Sequence, residues 1–504
     1  MDISVYKQED FIAVADSIRT ANGTTDKIDF PVGFMSSVQE MRNTFENRLE
    51  IEEYSNENVS QVVDYAFYEG SLQSIDLPNA STVGAYAFYD CNDMTSANLP
   101  CASLIGESAF ESSGIESVDL PNVSTVEPYT FRNCVSLQSA HIPNASSVGT
   151  SAFYGCSSLA DVDVSKAELL GQSAFRGCSK LEQIYLPLAT TIDRSCFEQS
   201  GLTSIEAPEA EQIGNYAFLE VESLLSVNLP KAKTLNYGGG DSRTFKECHN
   251  LRTVNLPLVE ELGGRAFDGC WSIQSIDLPE LTGNVGAYAF ARCSGLREIK
   301  VPKATYIPYY FATLNRMIEF SPLSATTLQG YCINQCNLLR KVITGANVII
   351  KDRAINSCTN FNTFVILYEG GVCTLEGVNA FYGSRLASGD GSIYVPDALV
   401  EDYKVATNWS TFADEIKPLS EYKPCTAIAF NTEELTFTNG DTQTLNASVA
   451  PSDTTDDIVW EVLDSTVATV ENGVVTPLKN GTTTIVARCG SYTANAVVTV
   501  SGIA

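Results

Sequence analysis

Two histidines, fifteen cysteines and 61 carboxylates are the side chains of this 504-residue chain best suited to act on a substrate, and their spacing argues against most reactions. His141 stands at an outward position of a strand-like run, and His249 follows a cysteine in KECHNL. Nucleophilic or metal-assisted hydrolysis wants a histidine held beside a nucleophile or a second ligand, and no nucleophile elbow or phosphate loop accompanies either one. Cys332 and Cys336 make a single C-x-x-x-C without a second pair or a nearby histidine, so no metal centre is expected. Paired acids suit glycosidic cleavage. Here, however, the acids recur in register and read as a solvated face. Neither enzymatic activity nor a cofactor is expected.

That register belongs to a repeat. SIDLPNASTVGAYAFYDC at residues 74–91 returns as SVDLPNVSTVEPYTFRNC at 117–134 and SIDLPELTGNVGAYAFARC at 275–293, with a period of about 22 residues. Units of this length, each with one short alternating run, cannot bury an apolar face alone and must stack as a solenoid. In each run alternate residues face inward, as with Ile75, Val118, Val162, Ile184 and Ile205, while the others face out. The proline after the run removes a ladder donor and ends the strand. Gly84, Gly106, Gly149, Gly171, Gly214 and Gly263 are expected at a reversal of positive φ. Ala-Phe pairs such as Ala87-Phe88 and Ala152-Phe153 then predict a short helical or 3₁₀ turn that drops a ring into a stacked spine. Nine cysteines, among them Cys91, Cys134 and Cys156, follow the ring position by three and are expected as buried free thiols.

The pattern A-F-x-x-C-x-x-L-x-x-I-x-L-P resembles the BspA type of leucine-rich repeat, which implies a curved solenoid with a parallel sheet on one side. The fold class expected is mainly β with short helices: a leucine-rich-repeat solenoid over 51–395, a small N-terminal helical module over 1–50, a helical cap over 396–421 and a C-terminal Ig-like β-sandwich over 422–504. In the cap, Leu399, Tyr403 and Ala406 have helical spacing, and Trp409 and Phe412 supply bulk to cover the last coil. The last segment is rich in threonine and valine, in short alternating runs broken by Asn-Gly at Asn439 and Asn472. Its stretch from VWEVLDSTVATVENGVV onward resembles the bacterial Ig-like (Big_2) family, with Trp460 at the core position. Whether Cys425 and Cys489 are bridged stays open.

The first fifty residues carry a helical stripe, Phe11, Ile12, Ala15 and Ile18, then Ile28 and Phe30 before a proline and a second helical run. One reading is a cap on the first repeat. The other follows from A-D-S-I-R-T-A-N-G-T-T-D-K-I-D-F-P, which resembles the opening of structural proteins of phages infecting Gram-positive hosts. That resemblance implies a docking module, with Phe11, Ile12, Ile18, Ile28 and Phe30 as its apolar residues.

A formal net charge of −30 disfavours nucleic acid and anionic lipid, both of which need clustered Lys and Arg. No apolar run is long enough for a bilayer. The N-terminus carries acid where a secretory signal carries Lys or Arg, so no export is expected if Met1 is the natural start.

Two features break the outward pattern. The default there is Ser followed by Asp or Asn, and His141, Asp161, Asp163, Gln183 and Tyr185 depart from it, making this the candidate ligand-binding face. An insertion at Tyr237, Gly238, Gly239, Gly240 and Asp241 is the candidate recognition loop. The function expected is a phage virion structural or accessory protein on tail or head, with virion localisation and adhesion to a host-surface glycan or protein. Its partners would be other virion proteins through the N-terminal module and further copies of itself on the particle. A bacterial cell-surface adhesin and a ligand-free spacer are the alternatives.

Overall fold

Ile75 and Leu77 lie at 2% and 0% exposure while Ser74 and Asp76 flank them at the surface, and this two-residue alternation is what makes each coil's first strand. The computed structural model describes residues 53–237 and 241–503. The residues expected to dock, Phe11, Ile12, Ile18, Ile28 and Phe30, lie outside the described residues, as do Gly238, Gly239 and Gly240. The described residues fall into two compact units that divide after Gly295.

In the first unit, three-residue strands from Glu53–Ser55 to Asp161–Asp163 stack in sequence order as one parallel sheet. A second ladder, of two- to four-residue strands, runs from Thr125–Val126 to Thr234–Tyr237 on another side of the coil. Between the two ladders lies the turn that carries the phenylalanine. Its backbone bonds alternate. Ser151, Phe153 and Gly155 donate their N–H groups to Gln172, Ala174 and Arg176 of the next coil at 2.8 Å, while Ala152, Tyr154 and Cys156 close turns onto residues three back at 3.2 Å. The turn is thus a third inter-coil ladder rather than the helical or 3₁₀ turn expected, and its ordering depends on having a neighbour.

The glycine column also differs from expectation. Gly84, Gly106, Gly149, Gly171, Gly214 and Gly263 are absent from the positive-φ residues, which include instead Tyr86, Ser108, Ser151 and Ser173, two positions after the glycine. What excludes a side chain at Gly84 is contact: a Cβ there would lie 2.4 Å from the Asp64 backbone nitrogen. At Gly214 it would lie 2.4 Å from that of Arg194. The coils approach backbone to backbone at this corner, and only glycine leaves room.

Phenylalanines 67 to 290 stack ring on ring, with centroids 5.1 to 5.5 Å apart. The column cysteines from Cys91 to Cys293 donate their thiols to the phenylalanine carbonyl one coil back, as from Cys134 to Phe110 at 2.9 Å and from Cys156 to Phe131 at 3.0 Å, while Cys336 and Cys358 reach Ala312 and Ile333 instead. Burial pushes the Cys91 and Cys134 thiols up to about 12, so both stay protonated donors at neutral pH. All fifteen cysteines are free thiols, and Cys101 alone is exposed.

The second unit holds further coils, whose strands Glu319–Phe320, Lys341–Thr344, Thr363–Ile366, Ser392–Val395 and Ile416–Pro418 form one parallel sheet. The short helix Val400–Val405 then buries Tyr403, with Trp409 and Phe412 covered after it; Leu399 and Ala406 fall just outside the α-helix. Tyr403 accepts the Cys373 amide at 2.9 Å and the Trp409 indole donates to the Cys373 carbonyl at 2.7 Å, so each large side chain satisfies its polar atom as it seals the stack. Beyond it, strands from Ala427–Phe430 to Tyr492–Val500 make the Ig-like sandwich. Asn472 and Gly473, with φ of 48° and 85°, turn the hairpin between Ala468–Glu471 and Val474–Pro477. Trp460 is partly buried, packs against both apolar clusters of the sandwich and stacks on Phe430 at 5.4 Å.

Candidate functional site

The outward polar column is wired along the stack. Asn98 donates to Asp76 at 2.7 Å, Asn255 to Asn228 at 2.7 Å and Asn228 to Glu206 at 3.4 Å. Amides placed between carboxylates in this way relieve the repulsion a pure acid column would suffer. His141 plays the same part, directly opposite Asp163 in the ladder, with its Nδ1 3.2 Å from the carboxylate. Such an exposed pair contributes at most about 1 kcal/mol, so it orients the two side chains more than it stabilises them.

The next coil changes the geometry. Gln183, Ile184 and Tyr185 do not form the strand expected of them: the sheet ends at Asp161–Asp163, and another begins at Ser204–Glu206. Ile184 is half-buried where Val162 and Ile205 are buried, so this coil is seated less deeply than its neighbours. Among the described residues, no backbone hydrogen bond of 183–185 is formed. Tyr185 is 72% exposed. The structure therefore brings His141, Asp161 and Asp163 together on two paired strands, with Gln183 and Tyr185 on the unpaired coil that follows. An exposed phenol ring beside carboxylate, amide and free backbone groups can stack on one face of a ligand and hydrogen bond to its edges.

The candidate recognition loop is described only at its ends. Tyr237 closes the strand Thr234–Tyr237. Asp241 is held by Arg243 at 2.8 Å and lies near Arg265 at 3.8 Å, and beyond it Ser242 and Thr244 are fully buried, 2.9 Å apart. The insertion is thus pinned on its C-terminal side by a charged and hydroxyl anchor.

Sequence reasoning passed over a second surface feature. Trp271 is 49% exposed and lies face to face with His249, ring centroids 3.8 Å apart and planes 17° off parallel. The signal was available: both follow the column cysteine, one period apart.

Comparison with known proteins gives three results. Residues 38–160, 103–225 and 211–312 match the family described as BspA type leucine rich repeat region, in six copies, and residues 424–500 match the bacterial Ig-like domain, group 2. Comparison with curated proteins returns no match. Among solved structures, a leucine-rich cell surface protein of Faecalibacterium prausnitzii is 20% identical, covering 64% of this chain and 88% of its own, with a TM-score of 0.35. A leucine-rich repeat protein of Bacteroides ovatus is 20% identical over 58% of this chain and 83% of its own, TM-score 0.38. The pneumococcal vaccine antigen PcpA is 14% identical over 73% and 87%, TM-score 0.33. The repeat match runs from 38 to 312, more than half of the 504 residues, and the chain accordingly belongs to the BspA-type leucine-rich-repeat family, here followed by a bacterial Ig-like domain.

Proposed function

We propose that the chain is a displayed adhesin whose repeats hold a polar, sugar-like or peptide ligand against the strand face at His141, Asp163, Gln183 and Tyr185. The observation that carries this reading is the exposed Tyr185 on an unpaired coil beside an oriented His141–Asp163 pair. Recognition, rather than bond-making, is the role assigned to these residues.

We assign the carrier as a phage particle, because residues 15–31 resemble the docking segment of phage structural proteins; the arm would then meet the surface of a Gram-positive host. A second carrier, the bacterial cell surface, is favoured by the Faecalibacterium relative, which is described as a cell surface protein. Mass spectrometry of purified virions against cell-envelope fractions separates the two, since the chain should be found in one and not the other.

Reverting the face to the repeat default tests the adhesive reading. The variant His141→Asn, Asp163→Asn, Gln183→Ser, Tyr185→Asn should fold with a stability change of about 0.5 kcal/mol per site or less, since all four residues lie at the surface. Its binding to cells or envelope glycan should fall at least tenfold, with Tyr185→Asn the largest single contributor because the ring alone can stack. Binding equal to wild type in the folded quadruple variant would exclude this face.

A further inference from the structure

Trp271 poses a question that the strand face does not answer. A large indole half open to water is stabilised by burial, and this one is held open. Its back packs on His249, whose Nε2 lies 2.9 Å from Glu247, and Glu247 is in turn gripped by Arg292 at 2.7 Å and Lys246 at 3.2 Å. Burial works to raise the Glu247 carboxyl, but Arg292, His249 and Lys246 outweigh it and hold it at about 2, so the clamp stays charged over the working pH range. The indole N–H has no hydrogen-bond partner among the described residues, and Glu222, its carboxylate 3.9 Å from His249, is exposed. A rigid ring with an unpartnered donor at its edge is a preorganised contact.

We propose that Trp271, braced by His249, is a carbohydrate platform: its open face takes the C–H face of a neutral pyranose, and its N–H takes a hydroxyl at the edge. A protein partner fits less well, because interface hot spots sit inside a ring of further contacts that excludes water. Here the same position on the neighbouring coils holds His249 and Ser294, which supply no apolar rim. Nucleic acid is disfavoured by the charge of −30. The site lies three to four coils from Tyr185 and does not depend on the strand-face reading.

The chain has three tryptophans, and only Trp271 among them is exposed, with Trp409 buried and Trp460 partly so, so its emission reports on the site. The full chain is titrated with hexasaccharides of glucose, galactose, mannose and N-acetylglucosamine, with fluorescence and calorimetry as readouts. At least one should bind with Kd on the order of 1 mM or tighter and perturb the emission. Trp271→Ala should lose the binding at least tenfold, Trp271→Phe should keep part of it, and His249→Ala should weaken it by loosening the ring. The emission change, which reads Trp271, should persist in the strand-face quadruple variant. No binding by any of the four sugars, or binding unchanged in folded Trp271→Ala, would overturn the assignment.

Discussion

Replacing Phe153 with alanine is expected to destabilise the repeat region by about 3–5 kcal/mol, the range for deleting a fully buried ring. Phe153 is 0% exposed and stacks on Phe131 and Phe175 with centroids 5.2 Å away on each side. The cavity cannot close easily, because the backbone that would have to move is pinned to the next coil through the Phe153 amide and Ala174 carbonyl at 2.8 Å. Stacked repeats share their stability with nearest neighbours, so the loss should spread to adjacent coils and lower the urea midpoint of the whole first unit. A loss below about 1 kcal/mol would mean that the spine is not the source of cohesion, since exposed substitutions already reach about 0.5 kcal/mol.

Asp456→Asn is expected to cost a comparable amount in the second unit, about 3–5 kcal/mol, because it breaks a buried charge pair from one side. Lys341 reaches Asp456 at 2.8 Å and Glu319 at 3.0 Å with only 6% of its side chain exposed, and the other Asp456 oxygen accepts the Cys425 amide at 3.0 Å. Burial works against the ammonium, but Glu319 and Asp456 outweigh it and hold the Lys341 pKa above the ordinary lysine value. A raised pKa means the stabilisation is complete below the unfolded value of 10.5 and is lost only as pH rises through the higher folded value. Nearby, Arg297 and Arg316 from successive coils converge on Glu461, one Arg297 contact measuring 2.8 Å. The Ig-like domain is thereby fastened to the coils of its own unit rather than strung on a linker. Denaturant unfolding followed by Trp460 emission should show the Asp456→Asn midpoint falling for sandwich and coils together. Separate transitions in the wild type would contradict the fastening.

Those contacts join residues 115 to 164 positions apart, and nothing periodic marks them in the chain. What was legible came from repetition: Ile75, Phe88 and Cys91 each recur in register, and a column that recurs must occupy one environment. The chemistry inside a turn was less legible. Glycine at 84 suggested a left-handed residue, but the left-handed conformation falls on Tyr86, because inter-coil hydrogen bonds from alternate amides fix it there. The missing strand at 183–185 was hidden for a related reason. Gln183-Ile184-Tyr185 alternates like its neighbours, and pairing depends on how deeply Ile184 seats, which pattern alone does not encode. The same residues depart from the outward default, so the sequence points to this face as a candidate while its geometry comes only from the structure.

The most direct test of adhesion through this face is photo-cross-linking from Tyr185. The full chain, carrying benzoylphenylalanine at position 185 or, as a control on the same outward face, at Asp119, is irradiated on intact Gram-positive cells that it binds. Covalent capture of an envelope glycan or protein from position 185 and not from 119 is the result predicted. Equal capture from both positions, or none from 185 while the cells remain bound, would contradict it.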